Sequence, residues 1–346
     1  MSVVFIIGAG TFFGQHLCQQ FAQAGWRVLA CSRKASPPAL HDVPLEWIPV
    51  SFRANTGSAM RPALKAAADA QVVIYAGGFQ GSHADHASLY EEHVVRTASI
   101  LHFCRHLPRL KHYYHTSTIR VAGEYSGLFH EDSPIPAQNF KDAWAGCLYA
   151  AEKLVLNTDT PFPKSIVRLG EIIGSSQTGE FPRISGFYHI LLALRRISQS
   201  KFPFRAMTFL PFVFSESTRL PLVPVDFAAQ AFQTLVTQGL DQQSRIYHIL
   251  GGQSGISARK VLAEMMLHVG LEMEPLALPY HRIPKSIWKH FRMPLDMLAT
   301  LSSPTQFHST LLESSLPDLR FPHYSQYAPT LFRYAEEHLF REGQVR

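Results

Sequence analysis

The stretch Val3-Val4-Phe5-Ile6-Ile7-Gly8-Ala9-Gly10-Thr11-Phe12-Phe13-Gly14-Gln15-His16-Leu17 decides the fold. Five apolar residues run without a break and stop at glycines. An amphipathic run then carries on to about Gln23. A short apolar run of this length reads as a strand buried on both faces, and the run after it as a helix. The turn between them must reverse direction sharply. Gly8 supplies backbone angles that other residues avoid, and a bare backbone lets a phosphate approach the N–H groups at the helix start. Strand, glycine turn and helix in this order predict a dinucleotide-binding unit lined by Gly8, Gly10, Thr11, Phe12, Phe13 and Gly14. The spacing is G-x-G-x-x-x-G rather than G-x-G-x-x-G, and glycines also mark ordinary turns. The flanking strand and helix favour the binding reading.

Working outward, Arg27 to Cys31 reads as a second strand ending at Ser32-Arg33-Lys34. An NAD-selective site places a carboxylate here to bind the ribose 2′-hydroxyl. Two cations after a hydroxyl suit a 2′-phosphate instead. NADP(H) is therefore favoured over NAD(H), against the plainer reading of Arg33 and Lys34 as solvated loop charges.

Strands and helices go on alternating. Leu45–Val50 and Val72–Tyr75 read as strands, the latter ending in Ala76-Gly77-Gly78. Residues 58–68 and 89–106 read as helices. His112–His115 is a strand leading into Thr116-Ser117-Thr118, Ala143–Asn157 a helix, and Ser165–Arg168 a strand. This alternation predicts an α/β fold, a doubly wound parallel sheet of Rossmann type, with ligand at the carboxyl ends of the strands. After Gly174 the pattern loosens, and five phenylalanines fall between Phe202 and Phe214. That stretch reads as a lid or substrate wall in preference to an interfacial membrane patch. The expected organisation is a Rossmann domain over 1–176, rejoined by 222–250, with a smaller substrate-side domain from 177–221 and 251–346.

The chain has 346 residues, a net charge of +6 and a pI near 9.1, with 46% apolar residues. That balance suits anionic ligands, or weak attraction of the protein to an anionic membrane. The basic residues are dispersed, which argues against nucleic acid. The 18 histidines and four cysteines show no metal spacing. Scattered cysteines, and only Met1 and Ser2 before the first strand, predict a cytoplasmic protein without a signal peptide. No segment is long enough to span a membrane. A homodimer is entertained, though the sequence specifies no oligomeric state.

Several further segments carry a resemblance. Ser117-Thr118-Ile119-Arg120-Val121-Ala122-Gly123, Gln138-Asn139-Phe140, Arg168-Leu169-Gly170 with Ile173-Gly174-Ser175-Ser176-Gln177-Thr178-Gly179-Glu180, Leu222-Val223-Pro224-Val225-Asp226-Phe227 and Tyr247-His248-Ile249 follow one another in family order. The chain resembles an extended short-chain dehydrogenase/reductase of the epimerase/dehydratase superfamily. Within it, the chain looks like the thioester reductase-like and fatty acyl-CoA reductase-like branch. The tail segments 307–310 and 321–327 are similar to that branch's terminal segment. The resemblance implies hydride exchange between a nicotinamide and a carbonyl or acyl substrate. A tyrosine carries the proton, and a lysine four residues on binds the ribose and lowers the tyrosine pKa. A serine or threonine, here Thr118, orients the carbonyl. Ala76, Gly77, Gly78, Thr116 and Arg168 join the turn as expected cofactor contacts.

The chain departs from its family where the chemistry belongs. Aligned on Ala151-Glu152 and Leu154-Val155, the tyrosine position is Trp144 and the lysine position Leu148. An indole does not titrate usefully, and leucine offers neither charge nor hydrogen bond. A literal Y-x-x-x-K exists at Tyr149 and Lys153. It lies five residues along the helix, a rotation of about 140° and a shift of about 7.5 Å. Thr11, Ser51, His93 and Leu169 also replace residues usual in the family. Three readings stand. One is a fold-retaining NADP(H) binder without standard reductase chemistry, and it is preferred. The second is a working reductase using Tyr149 and Lys153, or another acid such as Tyr125 or His115. The third is a lyase or isomerase with Thr118 and Glu171 as polar groups.

Overall fold

The computed structural model describes residues 1–32, 40, 43–52, 57–77, 85–131, 139–140, 142–182, 184, 186–200, 207–238, 243–279, 282–293, 298 and 300–340. At its centre lies a seven-stranded parallel sheet. In chain order its strands are β1 (Val3–Ile7), β2 (Arg27–Ser32), β3 (Leu45–Pro49), β4 (Val72–Tyr75), β5 (His112–Thr118), β6 (Lys164–Leu169) and β7 (Ile246–Ile249). In space they run β7-β6-β5-β4-β1-β2-β3. The chain leaves β1 toward one edge and returns at β4 toward the other. That reversal opens a crevice at the carboxyl ends of β1 and β4, where doubly wound sheets bind their ligands.

Alternation along β1 shows why its run is apolar throughout. Val4 and Ile6 enter one core, with Leu17 and Phe21 of α1 (Phe12–Gln23) and Phe232 and Leu235 of α2 (Val225–Gln238). Val3, Phe5 and Ile7 enter the opposite core, with Ile100 and Phe103 of α3 (Arg96–Cys104). A strand with helices on both faces needs apolar residues at both parities. A third core gathers α4 (Phe187–Ser198), α5 (Ala258–His268) and the helix Tyr324–Tyr334.

The fold is the expected one, with local differences. The strand predicted to stop at His115 continues through Thr118, so Thr116 and Ser117 are buried strand residues. The helix expected over 89–106 is present as one helical run from His86 to Cys104, with a π turn at Glu91–Val95 between His86–Tyr90 and α3. In the phenylalanine-rich stretch, Phe209–Val213 is a strand paired in parallel with Glu274–Leu278. Such a pairing joins segments far apart in sequence and has no local signature. All four cysteines are unpaired and buried. Among the described residues no helix is long and apolar enough to cross a membrane, and no metal-binding cluster is present.

Candidate functional site

The glycine turn is built as its sequence requires. Gly8 has φ +95°, and a Cβ there would lie 2.9 Å from the Ala76 carbonyl. Gly14 packs under the turn so closely that a Cβ would approach Gly8 O to 2.2 Å. Thr11 caps α1: its Oγ1 accepts from Gly14 N at 3.0 Å and donates to Ala76 O at 2.9 Å. One hydroxyl therefore fastens the helix start to the end of β4. Gly10 sits against Ser32 at the end of β2, and Ala76-Gly77 closes the other side. Phe12 and Phe13 open the helix. Phe13 turns into the core toward Phe232, while Phe12 packs against His16 and Phe181. A turn with the helix N-terminus facing the sheet crevice fits a pyrophosphate. Arg33, Lys34 and Gly78 lie outside the described residues.

Thr116 bonds Tyr75 O through its hydroxyl at 2.7 Å, tying β5 to β4. Thr118 is buried at the end of β5, and its Oγ1 accepts from Arg120 N at 3.1 Å. This cap starts the single 3₁₀ turn Ile119–Ala122.

The expected acid pair falls on α6 (Ala143–Asn157), capped by Asp142, whose side chain accepts from Ala145 N at 2.7 Å. Leu148 is 3% exposed and packs in an apolar cluster with Ile119, Val121, Phe129, Leu250 and Phe307. Trp144 is half-buried at the rim of that cluster, with the Arg120 guanidinium 5.5 Å from its ring centroid. Both residues thus face the segment that follows Thr118. Tyr149 lies on the flank, its ring 5.1 Å from Phe140, and Lys153 is exposed with its ammonium 5.7 Å from the Tyr149 ring. The literal tyrosine and lysine keep each other company along the helix, as four-residue spacing dictates.

Arg168 was expected among the cofactor contacts. The structure engages it elsewhere. Arg168 and Glu152 are both 0% exposed. Arg168 Nε donates to the Glu152 carboxylate at 3.1 and 3.2 Å, and Nη2 at 2.9 Å. Its Nη1 meets His248 Nε2 at 3.3 Å, and its face covers Phe129 at 4.9 Å. His248 Nδ1 contacts the His308 carbonyl at 3.0 Å, so Nδ1 carries the proton and Nε2 accepts from Arg168. Burial, then the Arg168 charge, push the His248 imidazole down to about 3. Glu131, likewise buried, accepts from His248 N at 2.8 Å and Leu311 N at 2.6 Å. This network joins α6, β6, β7 and the tail under the site.

Above the network opens a cavity of about 690 Å³. Its wall includes Ile119, Arg120, Tyr125, Glu171, Phe187 and Arg219. Tyr149, Lys153 and Thr118 do not line it. Tyr125 does, half-buried with its ring 5.5 Å from Phe129. His115 is fully buried beneath the strand ends, its Nδ1 2.9 Å from Tyr113 Oη; burial, then nearby His93, hold it near 3. The sequence reading missed the pairing of Arg120 with Trp144 and Glu171, although Arg120 lies inside the segment that carried the resemblance.

The family model described as the NAD dependent epimerase/dehydratase family matches residues 4–205. Among solved structures, the chain is similar to the terminal R domain from the myxalamid PKS-NRPS biosynthetic pathway. That match has 16% identity, covers 99% of this chain and 92% of that one, and has a TM-score of 0.77. It is also similar to the UDP-Glc/GlcNAc 4-epimerase of Campylobacter jejuni, at 12% identity, 97% and 100% coverage and TM-score 0.68. A third is MoeE5 in complex with UDP-glucose and NAD, at 15% identity, 97% and 99% coverage and TM-score 0.65. No curated protein matches the sequence.

Proposed function

Because the chain belongs to the NAD dependent epimerase/dehydratase family, and has the extended short-chain dehydrogenase/reductase fold that its sequence resembles, we propose that it binds a pyridine dinucleotide at the glycine turn. A small molecule with an apolar part then occupies the adjoining cavity. Gly8, Gly10, Thr11, Phe12, Phe13 and Gly14 hold the pyrophosphate, and Ala76 and Gly77 the adenosine side. Ser32, Arg33 and Lys34 select NADP(H). The bound nicotinamide would supply hydride chemistry, but this chain has lost the usual means of managing the proton.

The observation that carries this reading is the surroundings of Leu148. On the helix face turned toward Ile119 and Val121, the residue one turn after Trp144 is an alkyl group among alkyl and aromatic neighbours. An ammonium there would enter an apolar cluster whose nearest helical carboxylate, Glu152 one turn on, is already committed to Arg168, and the cation beside position 144 is the Arg120 guanidinium rather than a lysine. Tyr149 packs on Phe140 and, like Trp144, against the edge of the apolar cluster; neither lines the cavity. Arg168, engaged with Glu152 and His248, is read as a structural cation rather than a cofactor contact.

A second reading keeps catalysis through the cavity itself. Tyr125 and Glu171 both line it, so a reductase with Tyr125 as acid, or a lyase or isomerase using Glu171, has its polar groups in place. One pair of measurements separates the readings. NADPH and NADH fluorescence titrations are expected to show binding, tighter for NADPH. Dihydronicotinamide oxidation with long-chain aldehydes and acyl thioesters is expected to stay at background. Turnover abolished by Tyr149→Phe would restore the literal pair, and turnover abolished by Tyr125→Phe would establish the second reading.

A further inference from the structure

Arg120 is a cavity-lining guanidinium with open donors that is held in place by an aromatic platform. It leaves the 3₁₀ turn after β5, lays its guanidinium over Trp144, and meets Glu171 through a single Nη2–Oε2 contact of 3.4 Å. That is longer than a charge-assisted hydrogen bond and only one-pronged, where a guanidinium and a carboxylate ordinarily form two short parallel bonds. The rest of the fork has no protein acceptor among the described residues. The other Glu171 oxygen lies over Gly186, where an added Cβ would come within 2.4 Å of Oε1. Around the fork the wall is largely apolar, with Ile119, Phe187, Leu220, Leu301 and Phe307. A stacked, half-desolvated guanidinium with open donors on an apolar wall calls for a planar two-oxygen acceptor attached to hydrocarbon.

Resting on the reading of this cavity as the substrate site, we infer that Arg120 anchors the carboxylate head of an amphipathic ligand whose hydrocarbon part fills the cavity. The wall carries two guanidiniums, Arg120 and Arg219, and three carboxylates, Glu124, Asp142 and Glu171, the last in contact with Arg120. Asp142 is committed to capping α6, so its carboxylate faces a helix N-terminus. Arg219 adds a second cation, and Glu124 lies at the exposed rim. Trp144 serves as platform, and its indole gives the site an intrinsic optical signal.

The test follows Trp144 fluorescence while dodecanoate, dodecanol or protonated dodecylamine is titrated into the full chain without dinucleotide. Trp144→Phe identifies which part of the signal belongs to the site. Dodecanoate is expected to bind at least tenfold more tightly than either other probe, the ratio that one charge-assisted hydrogen bond supplies. Arg120→Gln removes that preference and leaves dodecanol affinity unchanged, which also shows the cavity intact. Glu171→Gln, which withdraws the competing carboxylate, tightens dodecanoate severalfold. Should Arg120→Gln fail to fold, the Glu171→Gln arm still carries the proposal. Equal affinity for dodecanoate and dodecanol, tighter binding of dodecylamine, no binding of dodecanoate, or unchanged selectivity in Arg120→Gln each overturn it. Dinucleotide titrations read the glycine turn separately, so failure there leaves this result standing.

Discussion

Replacing Glu152 by Gln tests what holds the site together. In the native protein the carboxylate receives three hydrogen bonds from Arg168, and neither side chain reaches solvent. Glutamine preserves the shape but removes the charge and one acceptor. Arg168 would keep its contact with the neutral His248 and the face of Phe129, neither of which neutralises it. Breaking a buried ion pair by deleting one partner costs about 3–5 kcal/mol, because the remaining charge is left buried. Removing both charges in a volume-matched pair, Glu152→Leu with Arg168→Met, is often neutral or better. The assay is urea unfolding followed by circular dichroism for wild type, the two single variants and the double variant. Each single variant is expected to lose about 3–5 kcal/mol and the double variant far less than their sum, a strongly non-additive cycle. NADPH affinity of folded Glu152→Gln is expected to stay within about threefold of wild type, a difference of under ~1 kcal/mol. A loss below about 1 kcal/mol in Glu152→Gln, or simple additivity in the cycle, would refute the argument that this pair is a closed structural unit.

Three further outcomes follow. Gly14→Ala places a methyl 2.2 Å from Gly8 O, so the glycine turn must open; NADPH binding is expected to fall at least tenfold, ~1.4 kcal/mol, read by fluorescence titration. Burial holds His93 near 4, and His115 and His248 near 3. All three folded-state values lie below the unfolded value of about 6.5, so their contribution is present above about pH 6.5. It drains away as pH falls from about 6.5 toward 4; a urea midpoint that rises over that interval would contradict it. Leu148→Lys puts an ammonium among Ile119, Val121 and Phe307 and is expected to destabilise by about 3 kcal/mol or more. Lys153→Met, on the exposed flank, is expected to change stability by under about 0.5 kcal/mol, and thermal melts of the two compare them directly.

How much of this was legible beforehand varies with the range of the interaction involved. The first turn was legible because β1, Gly8 and α1 are contiguous, and each signal is local. Helix α6 was expected over about Ala143–Asn157 and lies there, and the structure adds that Asp142 caps it. The role of Arg168 was not, since Glu152 and His248 meet it only after β6, β7 and α6 are assembled. The same holds for the parallel pair Phe209–Val213 with Glu274–Leu278. Thr11 shows a subtler limit. Its exchange for glycine looked like a loss, whereas its hydroxyl makes two hydrogen bonds that fasten the turn. The π turn at Glu91–Val95 adds a residue to a helix without changing its apolar spacing enough to be read.

The departures at Trp144 and Leu148 are not isolated lesions in an otherwise ready active site. Leu148 is one member of a cluster whose other members come from the turn after β5, from strand Gly127–Phe129, from Leu250 after β7 and from strand Thr305–Phe307. Trp144 is matched to Arg120, and Arg120 to Glu171. Residues from five segments have thus settled around an indole and an alkyl group. Restoring Tyr at 144 and Lys at 148 together would therefore not restore a reductase: the lysine would enter an apolar cluster beside a carboxylate already committed to Arg168, and the phenol would face a guanidinium in contact with Glu171. The expected outcome for that double variant is lower thermal stability with no gain in dihydronicotinamide oxidation. A gain of even tenfold, about 1.4 kcal/mol of barrier, would mean that the surroundings of 144 and 148 still hold the geometry of the older chemistry.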